Sequence, residues 1–169
     1  PIFTGGNTTG LSYTRMWNTY AMLHEFIRGI GWNSYGTTSF NGLGIYPAMA
    51  VMAGLGEMSR LNRMITPEYG PMVRTVFMLT DLPLAPTKPI SFGVMKFCES
   101  CKRCADLCPS KSIPFDKEPS WETHGDGWHN PGHKAWFENS VTCRNYWSAS
   151  ASNCGICFSV CPYTSDDKA

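Results

Sequence analysis

Residues 98–109 read CESCKRCADLCP, and this stretch decides how the second half of the chain folds. Its cysteines follow the spacing C-x2-C-x2-C-x3-C-P. Residues 154–162, CGICFSVCP, repeat most of that spacing as C-x2-C-x3-C-P, and Cys143 stands alone eleven residues before them. All eight cysteines of the chain therefore fall after residue 97.

This spacing is typical of the ligands of two [4Fe–4S] clusters. Three closely spaced cysteines bind one cluster, and the cysteine that precedes the proline binds the other. The first predicted ligand set is Cys98, Cys101, Cys104 and Cys161. The second predicted ligand set is Cys108, Cys143, Cys154 and Cys157. Because the two sets use every cysteine, we expect the chain to transfer electrons.

Two other uses of cysteine agree less well with the pattern. Disulfides suit cysteine-rich secreted domains, but C-x2-C pairs lie too close together for easy bridging within the motif. Zinc also binds C-x2-C pairs, and His124, His129 and His133 would supply further ligands. Zinc does not account for the two C-x3-C-P endings, so we predict clusters and expect the histidines to lie on a loop surface.

Several cations surround the first cysteine motif. Positive charge near a cluster raises its reduction potential and can guide an electron donor. The position of each of these cations is explained equally well by a solvated loop surface. The cations are Lys96, Lys102, Arg103 and Lys111.

Length and composition limit the classes of protein. The chain has 169 residues, enough for one domain or slightly more, and its formal net charge of +1 gives no indication of a nucleic-acid partner. It has no uninterrupted run of about 18 apolar residues, and its first residues lack the charged start and apolar block of a signal peptide. Because it does not begin with methionine, we expect an internal fragment of a longer protein, with any export signal or anchor outside it.

The residues before the cysteine motifs have the pattern of a mixed α/β unit. Residues 1–10 are rich in glycine and threonine, which favours a loop. A stripe of apolar residues predicts a helix over 13–30, with Ser12 as its N-cap and glycines at its end. Pro47 fits the first position of a second helix that continues to residue 62. Residues 72–79 are apolar on both faces, which predicts a buried strand.

The predicted organisation is α+β, in two parts. Prolines at 83, 86 and 89 form a linker, so the boundary falls near residue 90. Residues 1–90 form the first part and residues 91–169 form the cluster module. Within the first part, Gly54 and Gly56 suggest that the backbone closely approaches a neighbour or a flat ligand. The full G-x-G-x-x-G pattern is missing, which argues against a nicotinamide site.

Three further segments join with the cluster motifs in a family resemblance. They are FIRGIGW at 26–32, GLGEMSR at 54–60 and YGPMVR at 69–74. Cluster motifs alone occur in many ferredoxins, and the Gly-x-Gly-Trp segment also occurs in epoxyqueuosine reductases. The combination resembles the catalytic subunit of respiratory reductive dehalogenases, in particular those that act on chlorinated ethenes.

The resemblance implies a fold, a reaction and partners. It implies part of a nitroreductase-like α/β domain that holds a corrinoid, followed by a bacterial-ferredoxin-like module with two [4Fe–4S] clusters. It implies that the halogen of a small organohalide is replaced by hydrogen in anaerobic respiration. It further implies export by the twin-arginine route, a peripheral position on the outer face of the cytoplasmic membrane, a small membrane-anchor subunit and an upstream electron donor.

The resemblance also implies site residues. The family uses a tyrosine as proton donor, a basic residue beside it and an asparagine near the halogen. Tyr13 matches the proton donor and Arg74 the basic residue, while Tyr20 is a rival whose place on the apolar stripe favours a core role. A phenol keeps its proton at neutral pH, and a neighbouring arginine stabilises the phenolate that donation leaves. Asn41 matches the asparagine, although Asn-Gly is also a strong turn signal.

Candidate cofactor contacts follow from the glycine-rich segments and from one tryptophan. Backbone contact with a corrinoid is the role we expect for the glycines. The predicted cofactor-binding residues are Trp32, Gly42, Gly54 and Gly56. Residues that could line an apolar substrate pocket, or belong to the core, are Trp32, Phe40, Tyr146 and Trp147.

Two alternative functions differ in what they require. An epoxyqueuosine-reductase-like enzyme acting on tRNA would need an acidic proton donor and a basic surface, yet no Asp or Glu lies between residues 1 and 24. A non-enzymatic two-cluster electron carrier would need only the second half of the chain. An arginine in an apolar strand, at position 74, argues against that, because a buried arginine needs a partner or a function.

Overall fold

The computed structural model describes residues 2–36, 44–123 and 127–164. Its first element is a long helix, α1 (Ile2–Gly29). The helix predicted over 13–30 is therefore present, but the loop predicted over 1–10 is wrong. Ser12 is not an N-cap, since its hydroxyl donates to the carbonyl of Thr8 at 2.8 Å inside the helix. Such bonds satisfy hydroxyl groups without ending a helix. Gly31, with φ of +95°, follows the helix end.

Two short strands that are distant in sequence pair with each other. β1 (Ser34–Gly36) pairs antiparallel with β4 (Met78–Thr80), with Tyr35 opposite Leu79. The strand predicted over 72–79 thus forms only at its end. It is not buried, because its partner β1 is only three residues long and most side chains over 73–80 stay partly or fully exposed.

The second helix is shorter than predicted. α2 (Tyr46–Met52) begins with Pro47 in its first turn, as expected, but ends before Gly54. Gly54 has φ of +73°, which a helix cannot continue through. The chain instead forms the antiparallel strands β2 (Glu57–Met58) and β3 (Met64–Ile65), here called the β2–β3 hairpin.

Short helices carry the cysteine motifs. They are α3 (Val94–Ser100), α4 (Arg103–Asp106), α5 (Ser140–Ser150), α6 (Ile156–Ser159) and a 3-10 turn, Pro162–Thr164. Asn139 caps α5 by accepting a hydrogen bond from the Thr142 backbone N–H at 3.0 Å. The brevity of these helices follows from the motif, because cysteines at close spacing must turn around one point.

The core consists of two apolar groups, and the β2–β3 hairpin contributes to both. Leu61 packs with Cys104, Cys108 and Ile113, while Ile65 packs with a group that includes Trp136 and Cys98. The hairpin therefore packs directly on the cluster module although it precedes residue 90. Among the described helices, none is long and apolar enough to cross a membrane.

Candidate functional site

The first predicted cysteine set surrounds one small cavity. α3 carries Cys98, Cys101 follows its end, α4 carries Cys104, and Cys161 follows α6. All four side chains line a cavity of about 20 Å³. Burial raises the pKa of the Cys104 thiol to about 12, and the neighbouring Cys98 and Cys101 add to the effect. Thiols packed this closely ionise together only when cations lie between them.

The second predicted set surrounds another cavity, of about 250 Å³. Cys143 reaches it from α5, and Cys108, Cys154 and Cys157 complete the set. Burial, followed by the charges of the other three thiols, raises the pKa of Cys157 to about 11. Burial also acts to raise the pKa of Cys108, but hydrogen bonds from Ser110 and Ser112 lower it below its ordinary value. These hydrogen bonds favour the thiolate form of Cys108 relative to an ordinary cysteine.

Both cavities have the chemistry that an iron–sulfur cluster requires. Cys108 lines the cavity of the second set and Cys161 that of the first, as the rule for the cysteine before the proline predicts. Trp147 lines the second cavity, and its buried indole N–H has no hydrogen-bond partner within the described residues. The described residues thus leave this N–H donor free for a bound group. In the same ranges, no group of three His, Cys, Asp or Glu side chains is placed to hold a metal ion. The cluster assignment rests on the cysteine spacing and on the four thiols that line each cavity.

A third cavity, of about 420 Å³, contains Tyr13 and Arg74. Arg74 Nη1 donates a hydrogen bond to the Tyr13 hydroxyl at 3.0 Å, and Nη2 donates to the Thr9 hydroxyl at 3.4 Å. The guanidinium carbon also lies 4.5 Å from the centre of the Tyr13 ring. The structure therefore brings together the predicted proton donor and the predicted basic residue, although they are 61 residues apart in sequence.

One expectation about Arg74 is wrong. Its side chain is exposed rather than buried, because the segment around it is not a buried strand. Arg74 is in neither of the salt bridges found among the described residues, Arg63–Glu138 and Lys96–Glu99. The Glu57 carboxylate accepts hydrogen bonds at the start of α3. Arg74 donates its hydrogen bonds to the hydroxyl groups of Tyr13 and Thr9. An exposed arginine needs no partner to offset desolvation, so burial is no argument for a function of Arg74. The argument for a function is instead the hydrogen bond to Tyr13.

Several residues that were predicted to bind cofactor or substrate lie away from these cavities or outside the described residues. Asn41, Gly42, Phe40 and His124 fall outside the described residues. Trp32 is 38% exposed just after α1. Tyr20 is half-buried and packs edge-on against Trp17 at 5.3 Å, in keeping with a core role. Tyr146 and Trp147 line the second cysteine cavity rather than the cavity of Tyr13.

The close backbone approach predicted at Gly54 and Gly56 is present, and the neighbour is the chain itself. A Cβ at Gly54 would meet the carbonyl of Lys88, and one at Gly56 would meet the carbonyl of Ile65. The structure thus favours a neighbouring segment over a flat ligand at the Cα atoms of these glycines. Any cofactor contact there would use their peptide groups.

Sequence reasoning missed four residues that the structure brings to these sites. His129 and His133 lie half-buried in a loop, where they pack on Phe137 and also line the cavity of Tyr13. Glu57 accepts hydrogen bonds from five donors at the start of α3. Arg60 is fully buried beside the first cysteine set. Spacing carries no signal for the contacts of Glu57 and Arg60, since these join segments at least 34 residues apart.

Comparisons with known proteins agree with this arrangement. A family model described as "Reductive dehalogenase subunit" matches residues 4–84, and one described as "4Fe-4S double cluster binding domain" matches residues 97–164. A tetrachloroethene reductive dehalogenase of Sulfurospirillum multivorans is 45% identical over 158 residues, which cover 93% of this chain and 30% of the relative. The chain thus spans about a third of the length of that relative.

A solved structure and a more distant relative complete the comparison. The solved reductive dehalogenase structure, whose description concerns B12-dependent dehalogenation, superposes with a TM-score of 0.75 at 28% identity. It covers 86% of this chain, which in turn covers 20% of it. An epoxyqueuosine reductase of Lactococcus garvieae is 28% identical over 122 residues, covering 69% of this chain and 31% of the relative. The alternative function of the sequence analysis is therefore the more distant match.

Proposed function

Because this chain belongs to the reductive dehalogenase family, we propose that the whole protein replaces the halogen of a small organohalide by hydrogen. The reaction takes up two electrons and one proton, breaks a carbon–halogen bond, forms a carbon–hydrogen bond and releases halide. Relatives at 45% and 38% identity are named tetrachloroethene reductive dehalogenases, which supports a chlorinated ethene as the substrate.

The contact between Arg74 and Tyr13 is the observation that carries the proposal. Because Arg74 donates to the phenol oxygen, the hydroxyl hydrogen of Tyr13 remains free to be donated into the cavity. Loss of that proton creates a phenolate beside a cation that is never deprotonated in proteins. The guanidinium stabilises the phenolate through a charge-assisted hydrogen bond. The pair therefore supplies the one proton that the reaction needs.

The lining of the cavity combines apolar and polar side chains. Met16, Ile45 and Val73 contribute apolar surface. Tyr13 and Arg74 lie among further polar side chains, which include Arg63, His129, His133 and Glu138. A chlorinated ethene offers no hydrogen-bonding group, so we expect its position to depend on shape and apolar contact.

Cofactors follow from the family and from the cysteine sets. When bound, two [4Fe–4S] clusters and a corrinoid supply the electrons and the reactive metal for cleaving the carbon–halogen bond. Cys98, Cys101, Cys104 and Cys161 would hold one cluster, and the second cysteine set would hold the other. Tyr13, held by Arg74, would supply the proton to the substrate. Trp32, Gly42 and Asn41 stay predictions for contacts with cofactor or substrate.

The remaining proposals concern the whole protein and rest on the family resemblance alone. We propose that residues 1–90 form part of a nitroreductase-like domain. We also propose that the protein serves organohalide respiration at the outer face of the cytoplasmic membrane. A small membrane-anchor subunit and an upstream electron donor would be its partners. Fractionation of cells that express the whole protein, before and after loss of the anchor subunit, would test this location.

Halide release tests the activity. The whole protein would be reconstituted anaerobically with corrinoid, iron and sulfide, and chloride release from tetrachloroethene would be followed with a chemical reductant. Tyr13→Phe should lower turnover by about 100-fold or more, the usual contribution of a general acid. Tyr35→Phe is the matched control, since Tyr35 is 62% exposed on β1. Absence of halide release from a preparation with full cluster and cobalt spectra would refute the proposed substrate, and full turnover in Tyr13→Phe would refute its role.

A further inference from the structure

Arg60 is a buried cation in the wall of the first cluster cavity. Its side chain is 0% exposed, and it lines the cavity together with the four cysteines of the first set. Nε and Nη2 donate to the carbonyl of Cys98 at 3.1 and 2.6 Å, and Nε also donates to the carbonyl of Cys101 at 3.3 Å. Nη1 donates to the carbonyls of Pro114 and Asp116 at 2.8 and 2.7 Å.

These contacts give each guanidinium nitrogen a carbonyl acceptor, but they supply no counter-charge. Carbonyl groups are dipoles, and the Trp136 ring, 4.6 Å from the guanidinium carbon, adds a cation–π contact. Within the described part of the chain Arg60 forms no salt bridge. A buried charge without a counter-charge is costly, so an anion is expected beside it.

The thiols that become anionic when a cluster binds lie in the same cavity wall as Arg60. Cys98, Cys101, Cys104 and Cys161 line that cavity together with it, and Arg60 donates to the backbone carbonyls of Cys98 and Cys101. The guanidinium remains charged, because arginine does not lose its proton in proteins. The anion that Arg60 requires is therefore the first cluster with its thiolates.

We propose that Arg60 is the fixed counter-charge of the cluster bound by Cys98, Cys101, Cys104 and Cys161, and that it raises the reduction potential of that cluster. The proposal rests on the clusters of the proposed function and not on its dehalogenation chemistry. On reduction the cluster accepts one electron from the donor, no proton moves and no bond forms or breaks. The negative charge beside Arg60 increases by one, and a cation in a dry site stabilises the reduced form more than the oxidised form.

Arg60 is buried, and in this it differs from Arg103, one of the cations that the sequence pattern placed near the first cluster. Arg103 is the clearest comparison, since it precedes Cys104 directly but is exposed to solvent. Water and salt screen an exposed charge far more than a buried one. Removing the charge of Arg103 should therefore affect the same cluster much less than removing that of Arg60.

The test is an anaerobic redox titration of both clusters, followed by electron paramagnetic resonance, on the whole reconstituted protein. Arg60→Gln removes the charge, Arg60→Lys keeps it, and Arg103→Gln is the exposed control. At a fixed potential we expect Arg60→Gln to shift the ratio of reduced to oxidised first cluster by tenfold or more toward the oxidised form. For a one-electron couple this is about 59 mV toward lower potential. The second cluster should not shift, and Arg60→Lys should stay near the wild type.

Each outcome decides the proposal. It is overturned if Arg60→Gln holds both clusters at wild-type potentials, or if Arg103→Gln shifts the first cluster as far. If Arg60→Gln fails to assemble the first cluster, Arg60→Lys decides: a loaded cluster near the wild-type potential supports the proposal, and cluster loss or a tenfold shift overturns it. Chloride release is measured on the same wild-type sample. Release together with unshifted variants would refute the role of Arg60 alone, whereas shifted variants without release would refute only the proposed activity.

Discussion

Replacing Glu57 by glutamine should destabilise the cluster module from a position outside it. The Glu57 carboxylate accepts hydrogen bonds from the backbone N–H groups of Phe92, Gly93, Val94 and Met95 at 2.8–3.2 Å, and from the Ser91 hydroxyl at 3.3 Å. A hydrogen bond to a charged group contributes about 1.5–3 kcal/mol, and negative charge at a helix N-terminus adds about 0.3–2 kcal/mol. Because the five bonds share two oxygens and Gln keeps one acceptor, we expect Glu57→Gln to lower the free energy of unfolding by about 2–4 kcal/mol.

Anaerobic guanidinium unfolding of the loaded protein, followed by circular dichroism, measures this loss. A slope of about 4 kcal/mol per molar converts the expected loss to a midpoint shift of about 0.5–1 M. Glu122→Gln, the same chemical change on an exposed carboxylate, should change the free energy of unfolding by less than about 0.5 kcal/mol. Equal midpoints for the two variants would refute the role assigned to Glu57. The first cluster should also be lost before the second, because α3 carries Cys98.

The pH dependence of this contribution has a definite sign. Burial acts to raise the pKa of Glu57, but the hydrogen bonds from Met95, Phe92, Val94 and Ser91 lower it below its ordinary value. A carboxyl whose pKa is lowered on folding stabilises the protein above its unfolded pKa, about 4.3, and loses that contribution as the pH falls through its folded pKa. The difference between wild type and Glu57→Gln should thus be constant from about pH 8 to about pH 5.5. A difference that shrinks within this range would contradict the assignment.

Three further substitutions test the sites. Arg74→Gln should lower dehalogenation by about 10- to 100-fold at unchanged cluster content, since it removes a charged hydrogen bond to Tyr13; unchanged turnover would contradict the pairing. Cys143→Ala should reduce the iron content from about eight to about four atoms per chain and remove only the signal of the second cluster, which a full iron count would disprove. Trp147→Phe should lower the potential of the second cluster by removing an N–H donor at its cavity, while leaving the first cluster unchanged, and an unaltered titration would show that the indole N–H does not contact the cluster.

The arrangement of the cysteines could be predicted from sequence because the rule that governs it is local. Spacing of two and three residues determines which thiols converge, and the proline determines which thiol leaves for the other set. The lone Cys143 was assigned by elimination, and α5 brings it to the second cavity. The contact between Tyr13 and Arg74 followed instead from the family resemblance. No pattern in the sequence alone relates two residues so far apart.

Other parts of the fold could not be predicted because distant segments determine them. Glycine and threonine near the start of α1 favour a loop by propensity, yet the helix includes them. Glu57 and Arg60 lie in a segment that the sequence pattern predicts as the end of a helix. In the structure Glu57 belongs to β2 and Arg60 to the turn that follows β2. Their partners follow 34 residues or more later in the chain. Single-sequence patterns do not report such partners.

The exchange of Cys108 and Cys161 between the two sets also determines when the cofactors can be inserted during synthesis. Three ligands of the first set are complete at Cys104, but the fourth is Cys161, 57 residues later. The second set likewise needs Cys154 and Cys157. At about 5–20 residues per second, a ribosome takes about 3–11 seconds to cover that interval. Neither site is complete before the last motif has been made, so cluster insertion into either site must follow synthesis of nearly the whole segment.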